Sequence, residues 1–268
     1  YVIGYDPAKT QANLNFVHKA YEKMDFVVVQ DIFLTETARH ADVVLPVACF
    51  FEKSGTFTNA DRRIQLVRPA IAPPEGLKSD WEVVCMIANA MGAKFSYRSS
   101  SDIMDEIASL TPQYKGVNYS RLEKEELHWP VLNLEHGGTP IMHLGNFTKG
   151  LGTFNDIPYS PSVEMPDKDY PVLLSTGRIL YQYCNGSMTL RTPIKEIAPD
   201  PLLEVNPQDA EKYKLADGMT AVVESRRGSV EIKVQVTERS RPGSAFTTFH
   251  YDSTLINLVT GPGEEDLR

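Results

Sequence analysis

Two carboxylates stand at the ends of expected elements, where they could grip a ligand. Asp31 follows the apolar run at residues 27–29, and Asp80 opens the amphipathic stretch at residues 81–91. An ionised carboxylate accepts two parallel hydrogen bonds, which matches adjacent donors such as the N1–H and exocyclic amine of guanine. Bonds to a charged acceptor are stronger than neutral ones. Both residues also have plainer roles open to them: Asp80 can cap its helix, and Asp31 can sit in a turn, where Asp is common. A second cluster is STGRILYQYCN at residues 175–185, continued by GSMT. Thr176 and Gly177 end a strand there, so backbone N–H groups can face a ligand. The planar fork of Arg178 suits a phosphate or a carbonyl, and Ser187 and Thr189 add hydroxyls. A surface hairpin with a solvated Arg is the alternative. Thr35 reads as an N-cap with Ala38 and Arg39 in the first turn, so it, Thr37 and Asp42 are left outside the site. EKSGTFTN at residues 52–59 could approach a ligand closely but lacks the spacing of a phosphate loop. The six histidines, at positions 18, 40, 128, 136, 143 and 250, show neither HxxxH nor HExxH spacing. No serine triad or hydrolase carboxylate pair is present.

Holding these residues requires strands that run into polar segments. Residues 1–4, 26–29 and 43–45 predict strands, the last closed by Pro46. Leu14, Phe16, Val17, Ala20 and Tyr21 have helical spacing, and residues 36–39 predict a helical turn. Ser79 or Asp80 caps a helix whose apolar face is Trp81, Val84, Cys85, Ile87, Ala88 and Met91, ending near Gly92. Apolar strands leading into polar segments predict an α/β sheet that binds ligands past its strand ends. With so few strands, it is a partial doubly wound sheet.

Residues 101–168 hold one or two helical turns at 103–110, then many Gly, Pro, Asn and Tyr residues. They predict a long surface connection between two domains. From Tyr170 the pattern is β: strands at 172–175, 202–205 and 245–249, a helix at 208–215 after Asn206-Pro207, and a hairpin at 220–236. Short strands and tight turns predict a small closed barrel. The expected division is residues 1–100, 101–168 and 169–268.

A chain of 268 residues suffices for one large or two ordinary domains. No apolar run approaches the roughly 20 residues that span a bilayer. The net charge of −8 argues against a nucleic-acid surface. Cys49, Cys85 and Cys184 form no CxxC, so this chain predicts neither a zinc site nor an iron–sulfur cluster. Isolated cysteines suit a reducing, cytoplasmic compartment. The chain begins at Tyr1 and runs straight into a strand, which predicts a piece of a longer polypeptide. A twin-arginine signal on a missing N-terminus would instead make it periplasmic.

Four blocks carry a resemblance. They are YVIGYDPAKT at residues 1–10; VVVQDIFLTETARHADVVLP…EKSGTFTN with SDW at 79–81; LLSTGRILYQYCNGSMTLRT at 173–192; and a run from NPQDAEKYKLADG to NLVT. In this order they resemble the molybdenum- or tungsten-dependent oxidoreductases that carry a bis(pterin guanine dinucleotide) cofactor. Within that family they look most like the catalytic (alpha) subunit of formate dehydrogenases.

The resemblance implies an α/β plus β chain: a partial Rossmann-like sheet followed by a six-stranded double-psi β-barrel, one further strand of which usually lies beyond the region ending here at Arg268. It maps nucleotide contacts onto Gln30, Asp31, Lys53 and Asp80. It maps pterin-dinucleotide contacts onto Thr176, Gly177, Arg178, Ile179, Leu180, Tyr181, Gln182, Tyr183, Cys184, Asn185, Ser187 and Asn257. Cys184 stands where relatives often carry His or Asn. No catalytic or metal-ligating residue is expected in this chain. The metal's cysteine or selenocysteine ligand, the catalytic histidine and the cysteines of a 4Fe-4S cluster would lie upstream. The implied reaction is two-electron oxidation of formate to carbon dioxide, or its reverse. Implied partners are the rest of the catalytic subunit and iron–sulfur or flavin electron-transfer subunits. Nitrate reductases share several blocks, and the scaffold-like large subunit of NADH dehydrogenase keeps the fold without the pterin. Retention of Asp31, Lys53, Asp80, Arg178 and Asn257 favours a cofactor binder.

Overall fold

The computed structural model describes residues 1–162 and 164–261. Along the chain the elements are β1 (Val2–Ile3), α1 (Pro7–Thr10), α2 (Leu14–Tyr21), β2 (Val28–Asp31) and β3 (Val43–Pro46), then β4 (Gly55–Thr58), β5 (Arg63–Val67), α3 (Asp80–Ala90), α4 (Ser100–Leu110), α5 (Tyr119–Leu122) and β6 (Leu127–His128). The last group is β7 (Leu173–Gly177), β8 (Leu202–Val205), α6 (Pro207–Tyr213), β9 (Thr220–Ser225), β10 (Gly228–Val236) and β11 (Ser244–Thr248). The chain divides into two compact units. One combines residues 1–45 with 158–268, and the other is residues 46–157.

The first unit carries two sheets. The smaller has the order β1-β2-β3, with β1 and β2 parallel. Val27, Val29, Ala8, Tyr21 and Ala38 form its core. Asp6 pins this layer from α1, its Oδ1 accepting from the Thr37 N–H at 2.8 Å and the Thr37 hydroxyl at 2.7 Å. The strand expected at residues 43–45 is present as β3, at an edge of this sheet, with Val43 and Val44 exposed. The larger sheet has the order β7-β11-β8-β10-β9. β7/β11 and β8/β10 are parallel pairs, β8/β11 and β9/β10 antiparallel. Leu203, Val205, Ile232, Val234 and Ala245 make its core, with Ala210 of α6 packed on them. Asn206 caps α6 through its Oδ1, which accepts from Gln208 N–H at 3.0 Å. Five strands are paired among the described residues, one fewer than the expected six, and β7 and β9 are the two edges.

Within this unit the two sheets are joined by side-chain amides. Asn15 Nδ2 donates to the carbonyls of Arg227 and Leu258, each at 3.1 Å, and Asn257 Nδ2 donates to Thr10 O at 2.9 Å.

The second unit departs from the expected organisation. β4, β5 and β6 form an antiparallel three-stranded sheet that the sequence reading did not anticipate. Its turn holds Arg62 at φ 68°, a conformation usually supplied by Gly or Asn, while Asn59 and Asp61 act as ordinary turn residues whose Oδ1 atoms accept from Arg63 N–H. Part of the stretch expected to be a connection belongs to this unit's core: Met104, Val117, Leu122, Leu127 and Val131 pack with Ile64. The boundaries expected at 100 and 168 therefore differ from those of the fold. α3 begins as expected: the Ser79 N–H donates to Glu82 Oε2 at 2.8 Å in a capping box. Its anticipated apolar face is not buried, and Met91 is 83% exposed.

Candidate cofactor-binding site

The first unit gathers most of the candidate residues at strand ends. Gln30 and Asp31 close β2, whose burial holds both side chains almost out of solvent. Gln30 Oε1 accepts from the Tyr1 hydroxyl, and the Gln30 carbonyl accepts from Gly4 N–H at 2.8 Å. Asp31 Oδ1 accepts from Phe33 N–H at 3.0 Å, a local Asx turn that fixes the carboxylate at the head of the loop. Thr35 acts as the cap expected of it: its Oγ1 accepts from Ala38 N–H at 3.2 Å.

Thr176 and Gly177 end β7 and pair in parallel with Thr247 and Thr248 of β11. A Cβ on Gly177 would lie 2.9 Å from Phe246 Cε2, so only glycine fits that approach without displacing the ring. Arg178 follows. Its guanidinium lies 5.4 Å from the Phe249 ring centroid and makes no hydrogen bond or ion pair among the described residues. The loop then divides by burial. Leu180, Tyr181 and Tyr183 are exposed, while Gln182 is 2% exposed. Gln182 is engaged within the protein: its Oε1 accepts from Thr189 Oγ1 at 2.6 Å and its Nε2 donates to Ala198 O at 3.4 Å. Cys184 adopts φ 50° and Gly186 φ 73°, so the loop turns twice through left-handed backbone. Asn185 Oδ1 accepts from Ser187 N–H at 3.2 Å. Ile179 is part of the first turn, its carbonyl accepting from Gln182 N–H at 3.3 Å. Asn257, like Gln182, is buried and engaged: besides its bond to Thr10, its Oδ1 accepts from Thr260 Oγ1 at 3.1 Å.

Arg191, which the sequence reading did not single out, brings the two loops together. Its guanidinium lies 4.4 Å from the Phe33 ring centroid, and its Nη1 donates to the Ser187 carbonyl. The loop after Asp31 and the loop after Gly177 therefore meet, so the β2 and β7 strand ends contribute to one region of this unit. The only sequence signal was an Arg at the end of the GSMTLR stretch.

His250 lies just past β11 and is fully buried. Neither ring nitrogen has a partner among the described residues, and the same holds for the hydroxyls of Thr247 and Thr248. Burial depresses the His250 pKa to about 4, with Lys9 and Arg178 adding to the effect. Lys9 is itself buried and ion-paired with Asp252. Burial raises the Tyr251 phenol, whose hydroxyl donates to Ala198 O at 2.7 Å.

In the second unit Lys53 and Asp80 form an ion pair. The pair borders a cavity of about 370 Å³ also lined by Phe50, Phe57, Trp81 and Tyr119. Asp80 is the first residue of α3, where the helix dipole favours a negative charge. An aromatic-walled cavity with a carboxylate and an ammonium at its edge can accept a planar base. Among the described residues no three His, Cys, Asp or Glu side chains form a metal cluster.

The donor set fits a phosphate-bearing heterocyclic cofactor. Among the described residues the Arg178 guanidinium makes no hydrogen bond or ion pair and lies against Phe249, and the Asp31 carboxylate stands at the head of the loop after β2. Gln30, Gln182 and Asn257 are buried and already bonded, so in this structure they shape the loops.

A family model described as molybdopterin oxidoreductase matches residues 1–90, and one described as molydopterin dinucleotide binding domain matches residues 172–267. The chain is 42% identical over 272 residues to the F420-dependent formate dehydrogenase subunit alpha of Methanocaldococcus jannaschii, covering 100% of this chain and 40% of that protein. It is 42% identical over 265 residues to the F420-dependent formate dehydrogenase 2 subunit alpha of Methanococcus maripaludis, covering 97% and 39%. A putative formate dehydrogenase of Staphylococcus aureus is 39% identical, with 97% of this chain and 27% of that protein covered. The chain thus spans well under half the length of these relatives. In fold it is similar to acetylene hydratase from Pelobacter acetylenicus, with a TM-score of 0.72 at 18% identity, covering 98% of this chain and 38% of that one. The chain belongs to the molybdopterin oxidoreductase family.

Proposed function

We propose that this chain is the C-terminal, cofactor-holding portion of a formate dehydrogenase catalytic subunit. The carrying observation is 42% identity to a formate dehydrogenase alpha subunit along the whole of this chain. The fold does not choose the reaction, since a hydratase shares it at 18% identity. The sequence relatives favour formate as substrate and carbon dioxide as product.

The group to be held is a bis(molybdopterin guanine dinucleotide) carrying molybdenum or tungsten. When bound, it supplies the two-electron redox chemistry, and the protein supplies binding, orientation and electrostatics. In this reading Asp31 and Asp80 accept from guanine N–H groups. Lys53 pairs with the Asp80 carboxylate. Arg178 binds a phosphate or a pterin carbonyl, helped by the Thr176 and Ser187 hydroxyls. The segment Ile179–Asn185 shapes the wall, and Gln30, Gln182 and Asn257 fix its loops from beneath. The five-stranded sheet is read as part of a six-stranded double-psi barrel. The 4Fe-4S cluster, the metal's protein ligand and the partner electron-transfer subunits belong to the rest of the assembly, in the cytoplasm.

The test is formate oxidation by the purified full-length parent with a dye acceptor, together with its metal and pterin content. Turnover with a stoichiometric metal–pterin cofactor is expected. A parent that carries the cofactor but does not oxidise formate would refute the substrate. Turnover by residues 1–268 alone would refute the assignment of the metal ligand to another part of the polypeptide.

A further inference from the structure

Residues 141–157 belong to the second unit, yet they contribute almost nothing to its core. Ile141, Leu144, Phe147, Leu151, Phe154 and Ile157 recur at intervals of three, three, four, three and three residues. All six are exposed: Leu144 by 82%, Leu151 by 90%, Phe154 by 102% and Ile157 by 84%. The spacing would suit one face of a helix, but Gly145, Gly150 and Gly152 interrupt it. Left-handed backbone at His143, Gly145 and Gly150 keeps the segment irregular.

These six side chains present on the order of 800 Å² of apolar surface, comparable to one partner's share of a standard protein interface. Monomeric proteins rarely leave more than a few hundred Å² of contiguous apolar surface in water. Between residues 141 and 157 the only Lys, Arg, Asp or Glu side chains are Lys149 and Asp156, so the segment is formally neutral. An apolar, formally neutral stretch of this size is on the scale of a standard interface and above the low end where transient electron-transfer contacts fall.

We propose that residues 141–157 form an apolar arm that docks on the part of the same polypeptide lying outside this chain. The occupant is chosen on length: this chain covers 40% of its methanogen relative, so most of that relative's chain has no counterpart here. A covalently linked surface also meets its site at high effective concentration, so a modest intrinsic affinity suffices. The proposal rests on reading the chain as part of a longer alpha-type subunit.

The test uses the full-length parent with a photo-crosslinking phenylalanine analogue at position 151 or 154, and at exposed Lys124 as control. Expected are crosslinks from 151 and 154 to peptides outside residues 1–268 within a single subunit, well above the Lys124 yield. Crosslinks only to another subunit or a second copy would overturn the proposal, as would yields no higher than the control. A parent variant carrying Leu151→Ser and Phe154→Ser should melt several degrees lower, while Lys149→Ala should not. Equal melting of the two variants would also overturn it. If the parent proves to hold no pterin or to ignore formate, the proposed function falls while the crosslinking result stands on its own.

Discussion

At the scale of single residues, His250 makes a prediction about pH. Burial first, then the cations Lys9 and Arg178, hold its pKa at about 4 against 6.5 for a free imidazole. The unfolded chain therefore takes up the proton first. The stability contributed by neutral His250 is fully present above about pH 6.5 and is lost as pH falls toward 4, by about 3 kcal/mol in all. Denaturant unfolding of the parent should show the stability difference between wild type and His250→Gln shifting by that amount from pH 7 to pH 4, against wild type. A pH-independent difference would show that His250 is not held neutral. Asp31 predicts a binding effect. Asp31→Asn keeps a side-chain acceptor for Phe33 N–H but removes the charge, so guanine nucleotide retained per polypeptide should fall about tenfold or more. Unchanged retention would remove Asp31 from the site. Asp31, Asp80 and Arg178 stand out in sequence because their types would match a ligand's edges. Arg191 is not, because its role depends on the ring of Phe33, which is distant in sequence.

At the scale of elements, the loop after β7 rests on Gly186. At φ 73° a Cβ there would lie 2.8 Å from Leu190 Cδ1 and 3.1 Å from His250 O. Gly186→Ala should destabilise the parent by about 1–3 kcal/mol and loosen the cofactor, since the strain falls on the wall itself. Asn206 gives a contrasting case. It caps α6 and donates through Nδ2 to Ser240 O at 2.8 Å, so Asn206→Ala should cost a similar 1–3 kcal/mol. The remaining folded protein should keep its full cofactor content, because no residue of α6 is among the proposed contacts. Metal per folded molecule, measured for both variants, separates the two kinds of effect. β2, β7, β8 and the β9–β10 hairpin are readable as apolar or alternating runs bounded by turns. The β4–β5 hairpin is harder to read because Arg62, not Gly or Asn, occupies the left-handed position, although Asn59 and Asp61 mark the turn. α3 is readable as a helix, but its apolar pattern misleads about burial, since Met91 is 83% exposed.

At the scale of the whole molecule, the family is legible because motif blocks survive in order across the chain. The division into units is not, because the second unit is inserted between residues 45 and 158 of the first. Composition alone made residues 101–168 look like a connection. Their Gly- and Pro-rich character describes the exposed arm well and conceals the core formed by Met104, Val117, Leu122 and Leu127. The grip of this chain on a guanine-bearing cofactor is the central claim. The direct measurement is acid release and quantitation of GMP from the purified full-length parent, alongside molybdenum and tungsten. Two equivalents of GMP per metal atom are predicted, dropping in Asp31→Asn and Asp80→Asn. A parent with metal but no GMP, or variants that keep both equivalents under competition, would contradict it.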